Sequence, residues 1–356
     1  MRFVPTSCIR EGMILGKDLY NNIGDLMLAK GVVLTAEYIK AIKNLKYNGI
    51  YIDDDISKDI PIINIISEKV RVDAIAAIKN IFTHVEKGNS IDAKHIEATM
   101  EQVKKIVEQL FNNKELMVNM VDIKVFDDYT YYHSVNVAVL CIILGMALGM
   151  TEDDLLNLGY AAIFYDIGKV FIDKDLLNKP GALTDDEYDQ VKSHSLLGYE
   201  YLKKGNKVPI ESYIGVLDHH ERYGGGGYPN GLKEDLISYF GRIIAIADAY
   251  DALTSDRPYR KALLPSEAME YVMGSVSTLF DPDIVKVFVR KIAPYPIGTC
   301  VRLSNGMVGI VVENYEDLCM RPLIRVFQDE QGEQIGPYEI QLSDPHALCL
   351  TIVEVL

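Results

Sequence analysis

Four histidines and two aspartates in this chain have the type and setting to do chemistry. His219 and His220 are adjacent and run into Glu221-Arg222-Tyr223-Gly224-Gly225-Gly226-Gly227-Tyr228-Pro229. Successive side chains on a regular helix diverge by about 100°, so neighbouring imidazoles converge only where a helix ends and the chain turns. The glycines that follow free the backbone for positive φ and for close approach to a ligand. Taken alone, the segment also reads as a surface pair before a flexible loop. Two acids weigh against that reading. Asp166 follows the apolar stretch Ala161-Ala162-Ile163-Phe164-Tyr165, and Asp248 follows Ile243-Ile244-Ala245-Ile246-Ala247. Burying an unpaired carboxylate costs on the order of several kcal/mol, which a partner or a cation must offset. Either acid alone is readable as a cap or a hydrogen-bonded core residue. Together with His133, His194, His219 and His220, four of only seven histidines, they read as a metal site. Imidazole nitrogen and carboxylate oxygen suit first-row transition metals, and no cysteine lies nearby to make a structural zinc site. A bridging aspartate can hold two cations about 3.5–4 Å apart, a spacing suited to phosphoester cleavage.

The elements that must position these groups are helical. The expected fold is mainly α: a central all-helical domain between a small N-terminal β-rich module and a C-terminal small β-barrel. Residues 1–60 carry short apolar pieces, Met13-Ile14-Leu15 and Leu26-Met27-Leu28, punctuated by Gly12, Gly24 and Gly31. Thr35 caps an expected helix running to Leu45, and Ile50-Tyr51-Ile52 reads as a strand. Residues 61–117 form a helical connector with two stripes. Val72, Ile75, Ile78, Ile81, Phe82 and Val85 make one; Met100, Val103, Val107, Leu110 and Phe111 make the other. The stripes can pack on the next domain or on a second copy of the chain, so a homodimer is among the expectations. Residues 118–293 hold the chemistry. Beyond Pro294 and Pro296, residues 294–356 read as short strands, with a hairpin turning at Ser304-Asn305-Gly306.

Composition narrows the class. The chain has 356 residues, 49% hydrophobic and 24% charged, as in ordinary globular proteins. A net charge of -15 argues against a general DNA or RNA binder but leaves room for a small anion on a local basic cluster. Five scattered cysteines without a CxxC suggest reduced thiols in the cytoplasm. The apolar run from Val137 to Met150 is too short to cross a bilayer, so no membrane insertion is expected.

His133, Tyr165-Asp166-Ile167-Gly168-Lys169, His194, His219-His220, Gly227-Tyr228-Pro229, Asp248 and the segment Ala252 to Arg260 occur in the order of a known family. Over about residues 118 to 290 the chain resembles the HD-GYP branch of the HD phosphohydrolases. The resemblance implies a helical domain with two or three metals, iron or manganese. It also implies hydrolysis of cyclic di-GMP to the linear dinucleotide pGpG or to GMP. His133, Asp166 and Asp248 would serve one metal; a bridging Asp166 with His194, His219 and His220 would serve the other. Lys169 would act at the scissile phosphate, Arg257 and Arg260 would hold phosphate and guanine, and Tyr228 would line the guanine pocket.

Three positions depart from the pattern. Tyr165 stands where the family has the histidine of its His-Asp pair, Gly224 replaces a loop aspartate, and Tyr129 replaces the glutamate of three-metal members. A phenol is a poor ligand unless a strongly acidic metal deprotonates it. One tight metal site and one weak site are therefore expected, with reduced turnover. The alternative reading is a catalytically impaired cyclic di-GMP sensor or a module that docks a signalling protein.

Overall fold

The computed structural model describes residues 1–20, 25–45, 47, 49–62, 65–88, 93–112, 118–119, 129–205, 207–255 and 262–356. The N-terminal module opens with strands β1 (Arg2–Pro5), β2 (Ile14–Leu15), β3 (Leu19–Tyr20) and β4 (Leu26–Leu28). Helix α1 (Ala36–Asn44) and strand β5 (Gly49–Asp53) complete it. β5 lies between β1 and β2 in an antiparallel sheet, while β3 and β4 pair separately. Thr35 starts α1 as expected, its hydroxyl accepting from the Tyr38 amide at 3.4 Å. Leu15, Leu34, Ile42, Ile50 and Ile52 fill the small core.

Two long helices follow, α2 (Glu68–Glu86) and α3 (Ala93–Asn112), then the two-residue strand β6 (Val118–Asn119). From Val137 to Leu144 helix α4 (Tyr129–Ala147) is apolar all round and buried, so it takes the centre. Helices α5 (Glu152–Phe164), α6 (Lys174–Leu177), α7 (Asp185–Lys192), α8 (His194–Gly205) and α9 (Ile210–Asp218) come next. α10 (Tyr239–Thr254), α11 (Pro265–Gly274) and α12 (Pro282–Lys291) close the domain. Strand β7 (Ile292–Ala293) then pairs in parallel with β6. Thr151 starts α5 with a reciprocal capping box to Asp154. α4 packs against α5, α10, α12, α2 and α3.

The stripes of the connector turn inward. Ile75, Ile78, Phe82, Ile106 and Leu110 belong to the same hydrophobic core as α4 and α5. Two details differ from the expected stripes. Val72 is only half-buried while Arg71 is buried, and Phe111 is 40% exposed at the end of α3. The helices present slightly rotated faces, and arginine can bury its apolar stem. Among the described residues no helix is long and apolar enough to cross a membrane.

The C-terminal module is a five-stranded antiparallel sheet of β8 (Cys300–Leu303), β9 (Val308–Glu313), β10 (Leu323–Gln328), β11 (Gln334–Gln341) and β12 (Ile352–Val355), in the order β11-β10-β9-β8-β12. The predicted hairpin is β8–β9. This module is clasped to the N-terminal one. The Phe3 amide donates to the Gly298 carbonyl at 2.8 Å, and the Arg325 guanidinium reaches Asp59 and the Ile56 carbonyl.

Ile106 tests whether α3 is structural. Ile106→Ala should cost about 2–5 kcal/mol in urea unfolding, whereas Phe111→Ala should stay within about 0.5 kcal/mol.

Candidate metal centre

The polar residues that looked costly to bury converge from five helices. α4 contributes His133; the end of α5 supplies Tyr165 and Asp166; α8 begins at His194; α9 ends at His219 and His220; α10 carries Asp248. After Asp166 the chain tightens into a 3-10 turn, Ile167–Phe171, which brings Lys169 back over the carboxylate at 2.6 Å. Gly168 makes that turn possible. A Cβ there would lie 1.9 Å from the His194 carbonyl oxygen, so only glycine lets the start of α8 approach the turn this closely.

One half of the centre is short of protons. His194 Nδ1 lies 2.6 Å from the Val191 carbonyl and His219 Nδ1 lies 2.7 Å from the Val216 carbonyl. A carbonyl only accepts, so each Nδ1 carries the proton and each neutral ring keeps a bare Nε2. Those two Nε2 atoms face one another at 3.3 Å. Asp166 Oδ1, buried and without a hydrogen-bond partner, is 3.4 Å from His194 Nε2. His220 joins them: one ligand atom each from His194, His219 and His220 lie mutually within 4.8 Å. Burial holds the three rings neutral, His194 being pulled down to about 4. Burial also opposes ionisation of Asp166, yet the neighbouring Lys169 ammonium keeps its carboxyl well below the usual range. Electron-rich atoms therefore converge on one spot with no proton between them, an arrangement that fits a cation.

The other half is already closed by protons. His133 Nδ1 meets Asp251 Oδ2 at 2.7 Å and His133 Nε2 meets Asp248 Oδ1 at 2.9 Å. Burial works against charging this ring, but hydrogen bonds to Asp248 and Asp251 outweigh it and lift the ring to about 9. The Tyr165 hydroxyl donates to the same Asp248 Oδ1 at 3.0 Å. Its ring stands edge-on to both His133 and His219, at 6.0 and 5.0 Å between centroids. A cation at this half would have to expel the proton from His133 Nε2 and turn the phenol away. The geometry does not fit a second metal as it stands.

Loop geometry sets the rim. The Glu221 carboxylate accepts from the amides of Asn230 at 2.7 Å and Leu232 at 3.0 Å, folding the glycine loop back on itself. The Tyr228 amide donates to the His220 carbonyl, and the Tyr228 ring lies over His220 at 4.7 Å and 33°. Gly224, where the resembling family carries aspartate, abuts the next turn: a Cβ would sit 2.9 Å from the Ser277 carbonyl. Arg257 and Arg260 lie outside the described residues, and Tyr129 is placed in α4 without a described side chain.

Sequence reasoning missed three residues. Asp251 is fully buried, is held by Asn136 Nδ2 at 3.0 Å, and orients His133. Its signal was the spacing of Asp248 and Asp251, three apart on one helical face. Asn136 sits three residues after His133 in the same way. Glu221, beside the histidine pair, was a buried acid hidden in a polar segment.

The His133 network has a pH signature. A histidine raised in the folded state contributes stability that is complete below its unfolded value near 6.5 and lost as pH rises through about 9. The melting temperature of metal-free protein should therefore fall between pH 6.5 and 9.5, and His133→Asn should flatten that slope.

Comparisons with known proteins bear on this geometry. The HD domain family matches residues 97–284, and a KOW domain associated with HD domains matches residues 300–355. The chain is 35% identical over 267 residues to a cyclic di-GMP phosphodiesterase of Pseudomonas aeruginosa, covering 75% of this chain and 64% of that protein. It is 30% identical over 245 residues to a cyclic di-GMP phosphodiesterase of Thermotoga maritima, covering 67% and 65%. A 3'3'-cGAMP-specific phosphodiesterase of Vibrio cholerae is 37% identical over 192 residues, 53% of this chain and 43% of that protein. The chain thus spans slightly less than two thirds of the first two relatives. The HD match runs over more than half of the chain and encloses every imidazole of the centre; this chain belongs to the HD-domain family.

Proposed function

We propose that the protein is a metal-dependent phosphodiesterase that opens cyclic di-GMP to pGpG or GMP. We further propose that it works in the cytoplasm with one tightly held divalent metal, iron or manganese. The observation that carries this reading is the facing pair of bare Nε2 atoms beside the orphaned Asp166 oxygen. Asp166, His194, His219 and His220 would hold the metal. Such an ion supplies a Lewis acid and lowers the pKa of bound water toward neutrality.

The chain's own groups then have defined tasks. Lys169, one-third exposed and anchored on Asp166, places an ammonium where phosphate charge develops and can protonate the leaving oxygen. Tyr228, braced over His220, offers a flat wall to a guanine ring. By the resemblance, Arg257 and Arg260 would hold phosphate and base. Nucleic acid is a poor substrate class for this surface. The C-terminal module carries three arginines against nine acidic residues, so it lacks the basic face that polyanion binding needs.

The His133 half favours the second reading, a cyclic di-GMP sensor with little turnover, because protons already occupy the first metal position. Metal stoichiometry and product separate the two. Anaerobically purified protein should hold one metal per chain at pH 7 and move toward two above about pH 9, as His133 releases its proton. Tyr165→His should bring a second metal at pH 7 and a faster rate with cyclic di-GMP. Binding without linear product, in wild type and Tyr165→His alike, would leave the sensor. Lys169→Met should lower kcat by roughly 10²-fold or more while leaving metal content unchanged.

A further inference from the structure

Gly224 meets the chain again at the turn of residues 275–280, between α11 and α12, and the contact is backbone against backbone. The Tyr223 amide donates to the Leu279 carbonyl at 3.1 Å, and the Gly224 amide donates to the Thr278 carbonyl at 2.9 Å. A Cβ on Gly224 would lie 2.9 Å from the Ser277 carbonyl oxygen, 3.0 Å from that of Thr278 and 3.3 Å from the Thr278 Cα. Peptide groups held in a turn do not step aside as the tip of a flexible side chain does, so a side chain here forces the two segments apart. We propose that this turn is a positioning element for the site: it holds the glycine loop, and with it Tyr228, in place over His220. The proposal deepens the phosphodiesterase reading and rests on it, because Tyr228 is the wall assigned there to guanine.

The turn is firm enough for that task. Ser277 takes a φ of +62°, uncommon outside glycine, and its amide donates to the Phe280 carbonyl at 2.9 Å. Such a conformation persists only where its surroundings over-determine it. Thr278 Oγ1 donates to the Ser275 carbonyl at 2.9 Å, and Asp281 caps α12 by accepting from the Asp283 amide at 2.9 Å. A second tie joins the same two segments. Arg242 Nη1 donates to Asp281 Oδ2 at 2.7 Å and to Asp235 Oδ1 at 2.9 Å, bridging the turn to the far end of the loop. Between the ties, the Glu234 amide donates to the Tyr223 carbonyl at 2.9 Å. Glu221 thus fastens the loop from within and the turn fastens it from without.

One consequence runs against the family pattern. Aspartate at position 224 would not repair the loop of this chain. It would add a negative charge beside the Ser277 and Thr278 carbonyl oxygens to the overlap that any Cβ makes there.

Gly224→Asp and Gly224→Ala, made in the full chain, test the junction. In Gly224→Asp, amide exchange at residues 223–232 should quicken roughly tenfold while α4 protection and metal content stay as in wild type. KM for cyclic di-GMP should rise roughly fivefold or more with kcat within about twofold, the split expected when a binding wall is displaced and the chemistry is not. Gly224→Ala should move both readouts the same way by less. Ser277→Gly, which relieves the turn and keeps the junction, should leave both unchanged. Unchanged loop exchange in Gly224→Asp, a KM at or below that of wild type, or a fall in kcat at constant KM would overturn the proposal. Should α4 also lose protection in Gly224→Asp, Gly224→Ala decides by the same criteria. Absence of product from the wild type would count against the phosphodiesterase reading, and loop exchange alone would then decide on the junction.

Discussion

A shortage of protons between two facing imidazoles is the constraint around which this centre is built. Backbone carbonyls at Val191 and Val216 fix which nitrogen of His194 and of His219 carries hydrogen. The bare nitrogens are left pointing at each other and at a carboxylate oxygen. A cation placed between them relieves that repulsion directly. The surrounding structure serves this juxtaposition: the turn at Gly168, the end of α9 and the brace of Glu221 each hold one contributor in place.

The two halves of the centre answer the same electrostatic question differently. On one side burial keeps three histidines neutral; on the other, two carboxylates outweigh burial and keep His133 charged. Tyr165 sits between them and gives its hydrogen to Asp248. The substitution therefore does more than delete a ligand. It installs a donor on the very oxygen that a cation would use, so that protons and metal compete for Asp248.

Much of this was legible in the chain. Histidines converging at a helix end and acids inside apolar stretches are visible because they violate ordinary burial preferences. The hairpin at Asn305-Gly306 and the cap at Thr35 are local and depend on little else. The role of Tyr165 was not legible as a donor, because its partner lies 83 residues away and only packing sets the distance. Asp251 and Asn136 escaped for the same reason: their partners are 118 and 115 residues distant. The connector stripes were right in kind and rotated in detail. Hydrophobic period identifies a face only to within a residue, and Arg71 could bury where Val72 was expected.

The clasp between the terminal modules bears on the order in which the chain assembles. Arg325 is joined to Asp59 across 266 positions, and Phe3 to Gly298 across almost the whole chain. Bringing such distant segments together from a disordered coil loses loop entropy that a few polar bonds do not offset. A completed helical body removes that penalty by setting its two ends side by side. The knot of Arg325 and Asp59 thus costs least to tie once the catalytic helices have found their places.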